Sequence, residues 1–222
     1  MTLGFWQLER AEEKRQKQES IEARLIAKPR AIEELLSNPS DALNFQRVSM
    51  RGNYVAGKSV FLANRFYAGQ PGYEVLTAFK LKSTNEIVIV SRGWMALGSD
   101  PNKLPELDTP SAEIEPSGVI QVPSGPSFFV DQPMPAENWP LRLYHLNVDR
   151  IAPFFAAPVF PYVVGLDEAM PGVLIHSIQA PDMHAERSTS YAVQWFVMAL
   201  LLLLGTLFGC TNIAEGMRPK KR

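Results

Sequence analysis

The run "SYAVQWFVMALLLLLGTLFGC", Ser190 to Cys210, restricts the fold of this chain more than any other stretch. From Ala192 to Cys210 the one strongly polar residue is Gln194. At about 1.5 Å per residue a helix over that span reaches roughly 28 Å, close to the ~30 Å hydrocarbon core of a bilayer. A helix apolar on every face is poorly suited to the surface of a small soluble domain, so the sequence predicts a transmembrane helix. Arg218, Lys220, Lys221 and Arg222 follow it, whereas Arg187 ahead of it is offset by Asp182 and Glu186. The positive-inside rule then puts the C-terminus in the cytoplasm (or matrix) and the large domain outside, with Tyr191 and Trp195 at the outer interface.

That orientation makes a demand on the other end. A large N-terminal domain needs an export signal, and "MTLGFWQLERAEEKRQ" is neither signal peptide nor span. Its apolar start, followed at once by charge, reads as the tail end of a preceding span, and the expectation is that such a span is missing ahead of Met1. The expected organisation is the end of that span plus a charged helical stem over 1–43, a β-rich domain outside the cytoplasm over 44–185, the transmembrane helix over 190–211 and a basic tail over 212–222.

Between the ends the pattern changes twice. Leu8 to Arg24 is dense in Glu, Lys, Arg and Gln without Gly or Pro, which predicts a solvated helix laced with pairs such as Glu13 with Lys17. A second short helix is expected over Pro29–Leu36. From Phe45 onward, "FQRVSMRGNYV", "SVFLANRFY", "YEVLTAFKLK" and "EIVIVSRGWMAL" are β-branched and aromatic runs with turn residues between them. "AGQPGY" and "STNE" are short enough for hairpins. Later strands are expected at "GVIQV", "PLRLYHLNV" and "YVVGL", a helix with an Asp N-cap at Asp149–Phe155, and a surface excursion over Leu97–Pro116. Eighteen prolines and fourteen glycines favour such a loop-rich β domain over a helical bundle. The expected fold class is α+β and membrane-tethered: a small antiparallel β barrel or sandwich with an N-terminal helix and a C-terminal transmembrane helix.

Chemistry is sparse. A net charge of −1 offers no footprint for nucleic acid, and the lone Cys210 permits no disulfide within the chain. No nucleophile elbow, phosphate loop or metal-spaced His/Cys cluster occurs, and His145, His176 and His184 are far apart. This argues for binding over catalysis and leaves no metal site to name. Arginine recurs at strand positions beside Gly or aromatics: Arg51 in "RGNY", Arg65 in "NRF", and Arg92 with Trp94 in "RGW". A guanidinium is costly to bury unpaired, so these sites are either internal ion pairs or a surface for an anion or partner.

Five stretches, in order, resemble the surfeit-locus-1 family of membrane proteins that assist assembly of cytochrome c oxidase. They are "LGFWQLERAEEK" at 3–14, "MRGNY" at 50–54, "FLANRFYAGQPGYEVLTAF" at 61–79, "VIVSRGWM" at 88–95 and "YAVQWF" at 191–196. The resemblance implies a two-span protein of the bacterial inner membrane (the mitochondrial one in a eukaryote) with its main domain in the periplasm or intermembrane space. It implies help in placing haem a into subunit I of an aa3-type haem-copper oxidase, with subunit I, other assembly factors or the haem a synthesis machinery, and membrane lipid, as partners. A structural subunit that tethers assembly modules without touching haem is the alternative.

Two residues depart from the family pattern. Ser188 stands where a haem-binding histidine is expected, three residues before Tyr191, and serine is no axial ligand. His184 lies one turn earlier if the helix extends that far, which makes His184, Tyr191 and Trp195 the candidates for cofactor contact. Ala78 replaces a proline of many relatives. Gln194, a polar group inside the span, is expected either to face another helix, the missing first span being the obvious candidate, or to snorkel to the nearby interface.

Overall fold

The computed structural model describes residues 2–37, 39–98, 100, 103–122, 138–175 and 184–210. The basic tail and His176 lie outside that set. The chain divides into two units, residues 1–22 with 180–222 and residues 23–179.

The first unit is built on two helices, 2–26 and 185–210, neither of which contains a proline. Helix α1 runs Thr2–Ile26 and ends ahead of Pro29, whose ring disfavours helical geometry in the residue before it. Its charges pair locally, Arg10 with Glu13 at 3.3 Å and Arg15 with Glu12 at 2.7 Å, so Glu13 turns back to Arg10 instead of forward to Lys17. The last helix, Ala185–Cys210, contains one stretch, Glu186–Leu207, long and apolar enough to cross a membrane.

The second unit is built on strands β1 (Arg30–Ala31), β2 (Arg47–Ser49), β3 (Gly52–Tyr67), β4 (Gln70–Leu81), β5 (Ile87–Ala96), β6 (Ser117–Gln121), β7 (Leu141–Leu143) and β8 (Val159–Leu166). Short helices α2 (Glu33–Leu36) and α3 (Val148–Ile151) accompany them, and the helix of Ala185–Cys210 becomes α4. Two local expectations are corrected. The segment 29–36 is split between β1 and α2, and α3 starts after Asn147 with no side-chain cap, Asp149 lying inside it.

The sheet corrects the antiparallel barrel. Its order is β1-β2-β6-β8-β5-β4-β3-β7, an open, mixed sheet whose two end strands do not meet. The hairpin signals hold for β3–β4–β5, which are antiparallel neighbours. β8, however, runs parallel to β5, β7 parallel to β3, and β1 parallel to β2. A parallel neighbour needs a crossover of a dozen or more residues, and the stretch between β5 and β8 supplies one. Strand composition marks where strands are but carries no record of which of them returns beside which.

Alternating side chains put apolar groups on both faces. Phe79 and Leu81 of β4 join Val88, Val90, Ile120, Val164 and Leu35 in one cluster, while Leu76 and Ala78 join Ile87, Ile89, Val60, Leu141 and Ile151 in another. β5 is consequently buried at every position from Ile87 to Trp94, the near-continuous apolar run of a strand covered on both sides. A third cluster, Phe61, Ala63, Tyr73 and Val75, is closed by Leu104 and Leu107. The 97–116 segment is thus partly a lid on the core and not the surface excursion its composition suggests.

The β3–β4 hairpin turns through Ala68 and Gly69, both at positive φ (48° and 78°), between the paired Tyr67 and Gln70. This is the two-residue turn whose twist matches its strands and which prefers Asn-Gly. Gly72 just beyond lies under the Trp94 ring, where an added Cβ would come within 2.5 Å of the ring and 2.3 Å of the Met95 carbonyl. Two substitutions four residues apart should therefore move stability in opposite directions. Ala68→Asn should stabilise by about 0.5–1 kcal/mol by relieving alanine in the left-handed region, and Gly72→Ala should destabilise by about 1–3 kcal/mol through overpacking. Thermal unfolding of the purified variants reads both.

Candidate functional site

Arg92 is the most deeply buried charged residue described, 2% exposed. Its position comes from a break in the β4–β5 ladder: Val75 lies opposite Gly93 and Leu76 opposite Ser91, so Arg92 is the extra residue of a bulge, with Gly93 at φ 105°. The guanidinium donates from Nε to the Gly172 carbonyl at 2.5 Å, from one terminal nitrogen to Thr109 Oγ1 at 3.2 Å and from the other to the Asp108 carbonyl at 2.6 Å. It also lies 5.2 Å from the centre of the Tyr54 ring. Tyr54 donates its hydroxyl proton to the Pro171 carbonyl at 2.8 Å. Burial lowers the Arg92 pKa, with Tyr54 and Asp108 opposing the shift. Burial raises the Tyr54 phenol above its ordinary 10.0, the Arg92 charge pulling it part of the way back.

The other arginines of the sheet also have internal partners. Arg51 Nε donates to Glu113 at 2.6 Å, and Lys82 reaches the same carboxylate at 2.7 Å, which together hold the Glu113 pKa below its usual value. Arg65 Nε donates to Glu74 at 3.3 Å, and Glu74 also accepts from the Ser91 hydroxyl at 2.9 Å. Trp94 donates Nε1 to the Arg65 carbonyl at 3.2 Å and packs against Tyr67, so "NRF" and "RGW" meet across the sheet. Sequence reasoning missed Arg47, which with the Ser117 hydroxyl binds Asp167 and ties β2 and β6 to the end of β8. It also missed an apolar cavity of about 550 Å³ between β3 and the 103–109 segment, lined by Phe61, Leu104, Leu107 and Pro140 with Lys103 and Glu106.

The remaining candidates belong to the helical unit. Along α1, Gly4, Gln7, Ala11, Lys14, Gln18 and Ile21 are more buried than their neighbours, at alternating spacings of three and four. Gly4 lies under the Phe196 ring, and Phe5 meets the same ring edge-on at 5.3 Å. Ten residues on, Lys14 Nζ donates to Ser188 Oγ at 3.0 Å. The helices therefore run antiparallel, with the small residues Ser188 and Ala192 buried between these contacts. Ser188, at the position expected of an iron-binding histidine, is 5% exposed and engaged by a lysine. His184 precedes α4 with left-handed backbone, φ 47°, so the helix does not extend to it. Tyr191 and Trp195 are exposed one turn apart, and Gln194 is exposed as well. Lys14 was legible only as one more charge of the stem; the three-four spacing from Gly4 is the signal that could have singled it out.

Comparison with known proteins bears on what this arrangement serves. A family model described as the SURF1 family matches residues 1–200. A SURF1-like protein of Rickettsia felis is 26% identical over 216 residues, spanning 92% of this chain and 88% of that one. Another from Rickettsia prowazekii is 27% identical over 218 residues, with 91% and 82% covered. The cytochrome oxidase assembly protein SHY1 of Saccharomyces cerevisiae is 25% identical over 115 residues, 50% of this chain and 30% of that one.

The Arg92 cluster has two measurable consequences. Arg92→Met leaves buried carbonyls without donors and should destabilise by at least about 3 kcal/mol, read by denaturant unfolding. Tyr54 has its folded-state pKa raised above the unfolded value. Its contribution is complete below about pH 10 and is lost as pH rises through the higher folded value. Stability should fall from about pH 10 upward, and Tyr54→Phe should flatten that limb in unfolding curves taken between about pH 9 and 11.

Proposed function

The chain belongs to the SURF1 family, and from that premise we propose that it is a membrane-tethered assembly factor for a haem-copper, aa3-type cytochrome oxidase, acting by binding and placement without catalysis. The observation that carries the reading is the family match across α1, the whole sheet and α4 as far as residue 200, together with the oxidase-assembly name of the yeast relative. On this reading α4 spans the bacterial inner membrane, or the mitochondrial one in a eukaryote. The sheet domain stands on the periplasmic or intermembrane-space side, and the basic tail in the cytoplasm or matrix. Its partners are subunit I of the oxidase and other assembly factors or the haem a synthesis machinery, and its task is to assist the step at which haem a enters subunit I.

Iron ligation is not part of the proposal. Axial ligands are residues such as His, Met, Cys or Tyr. The residue at the expected position, Ser188, offers a hydroxyl already held by Lys14. His184 does not stand on the helix in its place. Of the three cofactor candidates only Tyr191, exposed on α4, keeps a donor of that kind on the helix, which favours the second reading within the same role, an interaction subunit that tethers assembly modules through protein contacts.

Deletion of the gene in a cell that respires through such an oxidase should lower oxidase activity and haem a absorbance several-fold, both restored by the intact gene. Normal activity with normal haem a would remove the assembly role. Full-length protein purified from cells making haem a should carry no stoichiometric haem, and His184→Ala should complement fully. Stoichiometric haem lost on that substitution would bring back the iron-ligating reading.

A further inference from the structure

The two turns that join β3, β4 and β5 differ in chemistry. Lys80 to Glu86, around the β4–β5 turn, reads "KLKSTNE" and is charged, whereas Phe66 to Pro71, around the β3–β4 turn, reads "FYAGQP" and carries no charge. Phe66 is nonetheless 70% exposed, and Tyr67, Leu97 and Ile175 are exposed as well. Register gathers these four at one place. Phe66 stands opposite Pro71, whose carbonyl accepts from the Leu97 N–H at 3.4 Å. Tyr67 packs against Trp94, and Trp94 is the bridge partner of Ile175. Within residues 23–179 the other large apolar side chains exposed among the described residues are Ile26, at the end of α1, and Tyr144, just past β7. The large exposed apolar groups of the sheet unit are thus concentrated at one end of the sheet instead of scattered singly over it.

We propose that this end of the sheet rests in the headgroup region of the bilayer, with Phe66 and Tyr67 as its anchors. Aromatic rings on an uncharged turn suit that layer, where an apolar body and a polar surrounding meet. The chain itself limits what lies near the patch. Ile175 belongs to it, and residues 176–184 join Ile175 to Ala185, the first residue of α4. Fully extended, that connection reaches at most about 36 Å at ~3.6 Å per step, so the patch is leashed to the helix read as entering the membrane. The charged β4–β5 turn is the whole of β4 farther on, roughly 40 Å for its 12 residues. The inference rests on the reading of α4 as a membrane span.

The test reconstitutes the full chain, with Cys210→Ser, in phosphatidylcholine vesicles. A fluorophore is attached through Gln70→Cys at the tip, Thr84→Cys at the opposite turn or Met198→Cys in α4. Quenching by lipid that carries a nitroxide on its headgroup should be several-fold stronger at 70 than at 84. Phe66→Asp should remove most of the quenching at 70, and Phe66→Trp should retain it. Equal quenching at 70 and 84, none at 70, or indifference to Phe66→Asp would each overturn the contact. A patch reserved for a protein partner predicts the second of these results, since the vesicles hold only this chain and lipid. Lipid with the nitroxide in mid-chain reads the label at 198 in parallel. Quenching at 198 without quenching at 70 defeats the bilayer contact alone, whereas none at 198 defeats the span and the contact with it.

Discussion

A desolvated guanidinium that makes no salt bridge among the described residues governs the sheet unit. Arg92 is held by two main-chain carbonyls, a threonine hydroxyl and a tyrosine face, and this choice of partners has structural reach. Carbonyl acceptors belong to backbone, so satisfying the cation fixes the course of two segments that have little ladder of their own, around Asp108 and around Gly172. Leu174 and Ile175 then exchange main-chain hydrogen bonds with Arg92 and Trp94. The bulge that aims the side chain inward, the glycine at positive φ after it and the lid over the third apolar cluster are parts of one arrangement. An ion pair on the surface is worth little by comparison, which is the position of Arg51 with Glu113.

Much of this was legible in the residues, and the failures have physical causes. The period-two runs located the central strands because alternating side chains meet different clusters, and the hairpin at "AGQPGY" was readable from its turn residues, although the turn itself takes only Ala68 and Gly69 and the rest is strand. The parallel pairing of β8 with β5 was not, since it depends on contacts far apart in the chain. The 97–116 segment looked like solvent-exposed loop because its apolar members, Leu104 and Leu107, are separated by polar residues and proline; their burial is set by the sheet they cover. "RGW" announced that arginine mattered and left open whether its partner was inside or outside, because carbonyl acceptors have no sequence signature.

The helical unit repeats the theme of polar groups given partners in apolar surroundings. A lysine and two glutamines occupy the α1 stripe that glycine, alanine and isoleucine share. Lys14 reaching Ser188 places a hydrogen-bonded pair where simple apolar packing would have sufficed. Such contacts fix register more than they add stability, which suits a helix pair that must present neighbouring faces at defined heights.

The open sheet has a consequence for life in a crowded compartment. An unclosed β-sheet ordinarily offers rows of free main-chain groups that recruit strands from other molecules. Here the terminal strands are only Arg30–Ala31 and Leu141–Leu143. β7 covers only Val60–Leu62 of β3, and to either side Gly57 and Asn64, both at positive φ, break the ladder between Tyr54 and Ser59 and between Leu62 and Arg65. Neither border is long or flat enough to template a foreign strand, so a domain that avoids closing into a barrel still keeps its borders to itself.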